Sequence, residues 1–147
     1  MKRLLFPGAF AAALCFSGCS GEKPTTQLSG TVTFKGKPVP AGYINFMPDS
    51  TKKVYGEVRM VRIKDGAYAT KEGNANGVFP GDAQIMISGF DGKPLDYYPD
   101  GKQIFNPWQT SGVVPTGKGT LDFQVPDSAA NNLKIMPTAD IPGSTGN

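Results

Sequence analysis

Residues 30–49 read "GTVTFKGKPVPAGYINFMPD", and two features of that stretch set the fold. Val32 and Phe34 alternate with Thr31, Thr33 and Lys35, in phase with Leu28 upstream. Side chains on a strand point to opposite faces with a period of two, so this alternation predicts a half-buried strand. After Gly36-Lys37-Pro38-Val39 the pattern resumes, with Ile44 and Phe46 inward, Tyr43 and Asn45 outward, and Pro48 closing the run. Glycine reaches turn conformations closed to other residues and proline fixes φ, so the middle segment predicts a turn between two strands.

The same reading extends along the chain. In "VYGEVRMVRI" Val54, Val58 and Met60 share a phase that shifts to Val61 and Ile63, which predicts a bulge or a strand that crosses between sheets. Asp65-Gly66 predicts a hairpin turn into "AYAT". "AQIMISGF" places Ala83, Ile85 and Ile87 inward, "TLDFQVP" does the same with Leu121, Phe123 and Val125, and "NNLKIM" predicts a short last strand. Nineteen Gly and thirteen Pro punctuate these runs, and no convincing helical period occurs outside the first residues. The expectation is an all-β protein: a single antiparallel β-sandwich of roughly seven strands.

The order of these motifs resembles the carboxypeptidase-regulatory-like, or transthyretin-like, β-sandwich family. Gly36-Lys37-Pro38-Val39, a strand opening on Gly42, Gly66-Ala67-Tyr68 and Pro80-Gly81 match the family pattern in sequence, over residues 28–126. Asp82-Ala83 follows Gly81 where the family usually carries Tyr. The resemblance implies a transthyretin-like fold and, together with the N-terminus, a small bacterial lipoprotein. Each matching residue is explained by turn chemistry or core packing and needs no active site.

The N-terminus reads as a leader. Lys2-Arg3 precede an uncharged run from Leu4 to Phe16, followed by Ser17-Gly18. That is the basic, apolar and small-residue order of a secretory signal peptide, and it is shorter than the ~20 residues of a spanning helix. Phe16-Ser17-Gly18-Cys19 resembles a bacterial lipobox, with Phe16 where Leu is usual. The resemblance implies lipidation at Cys19 and cleavage after Gly18; plain secretion, or a Cys15–Cys19 disulfide in a retained leader, are the alternatives. The predicted organisation is a signal peptide over 1–18, a tether over 19–27, a sandwich over 28–126 with a long loop at 90–119, and an extension over 127–147. The implied place is the bacterial cell envelope, on a membrane held through Cys19.

Chemistry is sparse. With Lys2 and Arg3 assigned to the leader, thirteen basic residues face twelve acidic ones, so there is no electrostatic footprint for nucleic acid. The absence of His removes the commonest general base and zinc ligand. Ser50-Thr51-Lys52-Lys53 spells Ser-x-x-Lys but lacks the partner motifs of penicillin-binding enzymes, and Asp91, Asp96 and Asp100 lack the alternate spacing of a calcium loop. No catalytic residue, metal site or cofactor is expected.

The densest feature is "FDGKPLDYYPDGKQIFNPW", which holds Phe90, Tyr97, Tyr98, Phe105 and Trp108. Tyr97, Tyr98, Phe105 and Trp108 are the candidate contacts for a partner, either an envelope protein or a polysaccharide stacked on their rings. The reading the sequence favours for the loop itself is that it folds over a sheet face as a satellite core, with the partner surface second. The expected role is a non-catalytic structural or interaction module, with a tethered carbohydrate-binding module as the second reading.

Overall fold

The structure is a computed structural model that describes residues 24–71 and 76–133. The leader, Cys19 and the segment after Leu133 lie outside the described residues. Nine strands occur among those described: β1 (Gln27–Phe34), β2 (Lys37–Pro38), β3 (Ala41–Pro48), β4 (Arg59–Lys64), β5 (Ala67–Ala69), β6 (Gly81–Phe90), β7 (Trp108–Val114), β8 (Lys118–Thr120) and β9 (Phe123–Val125). They form one curled all-β sheet in the order β2-β1-β5-β4-β3-β6-β7, with β8 and β9 also on β1.

Alternation builds the central strands as expected. Ile44 and Phe46 on β3, Val61 and Ile63 on β4, and Ala83, Ile85 and Ile87 on β6 are all buried. Lys35 and Gly36 make the tight turn before β2, with φ of 51° and 71°. Asp65 and Gly66 do the same between β4 and β5, at 50° and 78°. Pro38 lies one step past the first turn, on the return strand opposite Thr33.

Several expectations need correction, beginning with the loop over 90–119, which holds β7 and most of β8. Val54 and Val58 precede β4 outside any strand, and Val58 is 58% exposed, so the apparent change of phase is a strand start and not a bulge. Pairing is not antiparallel throughout, because β8 and β9 both run parallel to β1. Asn131 and Asn132 lie in a turn after a short 3-10 segment, and the rest of "NNLKIM" beyond Leu133 lies outside the described residues.

The parallel pairing closes the fold. Gln27 lies opposite Lys118 and Phe34 opposite Val125, so β8 and β9 hold one register along β1. Between them Leu121 and Asp122 pass Gly30 and Thr31. A Cβ on Gly30 would stand 2.1 Å from the Leu121 carbonyl oxygen, so only glycine admits this approach. The Leu121 N–H donates to the Ser29 carbonyl at 3.0 Å, and the Tyr68 hydroxyl donates to the Leu121 carbonyl at 2.7 Å. Asp122 accepts from the Thr31 N–H at 2.7 Å and the Thr31 hydroxyl at 2.8 Å. Inside this closure the rings of Phe46, Tyr68 and Phe123 pack at 6.0–6.4 Å.

The fold begins at Thr26, which exchanges backbone hydrogen bonds with Val78 at 2.7 and 2.9 Å and is fully buried. Strand directions give the sheet two ends. The start of β1, the end of β3, the starts of β4 and β6 and the end of β7 share one end, and the long loop leaves β6 at the other.

Two predictions follow from the closure. Gly30→Ala drives a methyl into backbone that cannot give, and costs at least about 2 kcal/mol, read as a lower denaturant midpoint at unchanged slope. Burial and the Asp122 charge push the Tyr68 hydroxyl well above tyrosine's ordinary 10.0. The unfolded chain therefore loses this proton first, and stability is full below pH 10.0 and falls above it. Tyr68→Phe removes most of that fall, at up to about 1.4 kcal/mol per pH unit, measured by urea unfolding across alkaline pH.

Candidate functional site

Backbone pairing shapes the loop after Phe90 before any side chain acts. The Asp91 N–H donates to the Lys102 carbonyl at 2.8 Å, Gly92 to Asp100 at 3.0 Å and Ile104 to Gly89 at 3.0 Å, so the segment doubles back on itself. Asp91 Oδ1 lies inside the fold-back and accepts from the N–H groups of Lys93 and Lys102 at 3.0 and 2.9 Å. A Cβ on Gly101 would meet that oxygen at 2.0 Å, and its φ of 85° also calls for glycine. At the tip Leu95 and Tyr98 exchange both backbone bonds, at 3.0 and 2.9 Å, across Asp96 and Tyr97. The turn leaves Tyr97 83% exposed and Tyr98 48% exposed, with Leu95 beside them.

Asp100 fastens this loop to the sheet. It is only 8% exposed, and its carboxylate accepts from the Tyr43 hydroxyl and an Arg62 guanidinium nitrogen. Tyr43 and Arg62 are cross-strand neighbours on the outer face of β3 and β4. The guanidinium sits 5.6 Å from the Tyr43 ring centre, and that ring meets Phe90 edge-on at 6.2 Å. The hydrogen bond to Asp100 raises the pKa of the Tyr43 hydroxyl, and burial adds to the effect.

The four predicted contacts separate. Phe105 is fully buried, 4.9 Å from the Phe34 ring, and a Cβ on Gly89 would strike it at 2.4 Å. It is a core residue, and no partner reaches it. Trp108 opens β7 opposite Ile87 and packs partly against the core. Tyr97 and Tyr98 stand together at the tip. The loop thus divides, with its return limb a satellite core and its tip an aromatic surface. Sequence reading passed over Leu95 at the tip and the Tyr43–Arg62 pair beneath; the outward phase of Tyr43 was the available signal.

Other candidates take structural roles. Asp100 is held by Tyr43 and Arg62 and Asp91 by backbone, and no group of three His, Cys, Asp or Glu suited to a metal occurs among the described residues. Ser50–Lys52 form a 3-10 turn capped by Asp49, whose carboxylate accepts from the Thr51 N–H at 3.0 Å and hydroxyl at 2.6 Å. Those bonds, the Thr51 hydroxyl foremost, hold the Asp49 carboxyl below its usual range. Ser50 therefore sits in a solvated turn, and Lys53 closes it with a left-handed φ of 62°.

No protein-family model matches this chain, and no curated protein matches it. Among solved structures it is similar to a DUF3823 family protein from Parabacteroides merdae ATCC 43184, at 16% identity and a TM-score of 0.43. The match covers 71% of this chain and 47% of that one, so the chain spans about half of that protein's length.

Asp100→Ala is expected to loosen the loop without unfolding the sheet. A hydrogen bond to a charged group is worth about 1.5–3 kcal/mol, and the solvent-exposed Arg62 puts the loss near the lower end. Amide exchange should quicken at Gly92 and Gly101 while Ile44 and Ile87 keep their protection.

Proposed function

We propose that this chain is a lipid-anchored lipoprotein of the bacterial envelope that binds a partner and performs no catalysis. The Phe16-Ser17-Gly18-Cys19 lipobox supports the anchor, and acyl chains at about 0.8 kcal/mol per buried methylene would hold it. The curled all-β sheet and the motif order from Gly36 to Gly81 support a transthyretin-like sandwich. One observation carries the binding reading: the chain enters the sheet at Thr26 on one end, and Tyr97 and Tyr98 are exposed at the other. A tether at Cys19 would therefore present the aromatic tip away from the bilayer. Large exposed apolar groups cost solubility, and here they sit on a loop that Asp100 holds in place. The exposed rings also favour a second reading, in which a sugar stacks on Tyr97 or Tyr98.

Both parts are open to test on the full chain expressed in its bacterial host. Mass spectrometry should find diacylglyceryl on Cys19, and the protein should stay with membranes through carbonate washing. A photo-crosslinker at position 97 should give a discrete protein adduct that position 37 does not. The sugar reading instead expects retention on isolated cell-wall sacculi. Each stacked ring is worth about 0.5–1.5 kcal/mol, so Tyr97→Ala/Tyr98→Ala should cut retention on sacculi at least about fivefold, and Tyr98→Ala should cut the adduct from position 97 at least about twofold. Neither adduct nor retention would remove the loop as a binding surface.

A further inference from the structure

We propose that the end of the sheet where the N-terminal segment enters is a second membrane contact, which docks on anionic lipid headgroups through Lys71 and Lys118. The proposal rests on the lipoprotein reading of Cys19. An open groove of about 570 Å3 lies there, lined by Gln27, Leu28, Ser29, Ala69, Gly119 and Thr120 with those two lysines. Its only charged groups are cationic. Gln27 stands directly opposite Lys118 and donates its N–H to the Gly117 carbonyl at 2.9 Å, so the groove surrounds the root of the tether.

Chain length brings this surface to the bilayer. Seven peptide steps separate Cys19 from Thr26, and fully extended they span at most about 25 Å. Thr26 is pinned to Val78 and to the Pro115 carbonyl, so no slack is recovered from the sheet. Along the same end lie exposed Tyr55, Val58 and Val113, with Lys52 and Lys53. Cations interleaved with aromatic and aliphatic groups suit a headgroup interface, where each Lys or Arg contributes about 1 kcal/mol on an anionic surface. Among the described residues no carboxylate lines the groove; Glu72, next to Lys71, lies outside them. Glu57 lies 3.6 Å from Arg59, Asp49 caps the 3-10 turn, and Asp82 is on β6.

The test is lysine footprinting of the purified full chain, reconstituted in vesicles of phosphatidylglycerol with phosphatidylcholine or of phosphatidylcholine alone. On the anionic vesicles acetylation of Lys71 and Lys118 should slow at least about fivefold, the factor that ~1 kcal/mol for a single lysine gives. The protection should vanish in about 0.5 M salt, where the screening length falls to roughly 4 Å. Lys93 and Lys102, on the far loop, should react equally on both vesicles. In Lys71→Glu/Lys118→Glu, checked for an unchanged melting temperature, Lys52 and Lys53 should lose their protection as well. Equal rates for Lys71 and Lys118 on the two vesicle types, or equal protection of Lys93 and Lys102, would overturn the contact. A lipidated Cys19 without lysine protection leaves the anchor standing and removes this contact; protected lysines with an unmodified Cys19 do the reverse.

Discussion

The structure depends on the passage of Leu121 and Asp122 across Gly30 and Thr31. There the last strands lie down on the first, at a fixed separation along β1, with Lys118 opposite Gln27 at one end and Val125 opposite Phe34 at the other. A tight approach costs close contact unless the side chain is absent, which is why Gly30 stands in the middle of a long strand. Tyr68 and Asp122 then replace ladder bonds with side-chain ones, and the two polar groups of Leu121 and the Thr31 N–H are all satisfied. These contacts join residues 53 to 91 or more positions apart, so they rest on long-range chain closure and not on local preference.

That distance in sequence explains what could be read beforehand and what could not. Alternation is local, so Ile44, Phe46, Ile85 and Ile87 announce their burial in the chain itself. Turn chemistry is local too, and Gly36, Asp65 and Gly66 adopt the positive φ their residue types favour, whereas Lys35, read as a strand residue, is carried into it by the turn. The parallel partner of β1 has no such mark, since nothing within "TLDFQVP" tells which strand it will meet. Phe105 misleads for the same reason: its neighbours in sequence form a polar loop, while its neighbours in space are Gly89 and Phe34. Val54 and Val58 show the opposite failure, a period of two without a strand beneath it, because Gly56 packs against the Phe79 ring ahead of β4.

The candidate site inherits its stiffness from the sheet. Tyr43 and Arg62 sit in register on adjacent strands, so the carboxylate of Asp100 meets donors whose spacing the ladder already sets. The loop thus spends one buried acid on attachment and leaves its tip free of core duties. Tyr97 and Tyr98 leave large apolar area exposed, on a backbone held by paired bonds between Leu95 and Tyr98. A rigid tip loses little entropy when it binds, which is the condition under which a few rings give useful affinity.

Strand direction joins these two regions into one argument. β6 has ten residues, close to 33 Å at ~3.3 Å each, and it runs from the end where Thr26 enters to the base of the aromatic loop. Under the proposed anchoring, that length puts Tyr97 and Tyr98 several screening lengths from the bilayer, where headgroup charge no longer reaches them. Under the same anchoring Lys71 and Lys118, at the tether's root, would lie within that reach. Electrostatics would then act at the tether's root and apolar contact at the far tip, and the sheet between them would act as a spacer. A flexible tether alone would let the body tumble and bring the tip back toward the membrane; the proposed charged contact beside Gln27 would restrict that tumbling and keep the tip facing outward. The sheet's stiffness matters here as much as its stability, because an orientation set at one end reaches the other only through a body that does not bend.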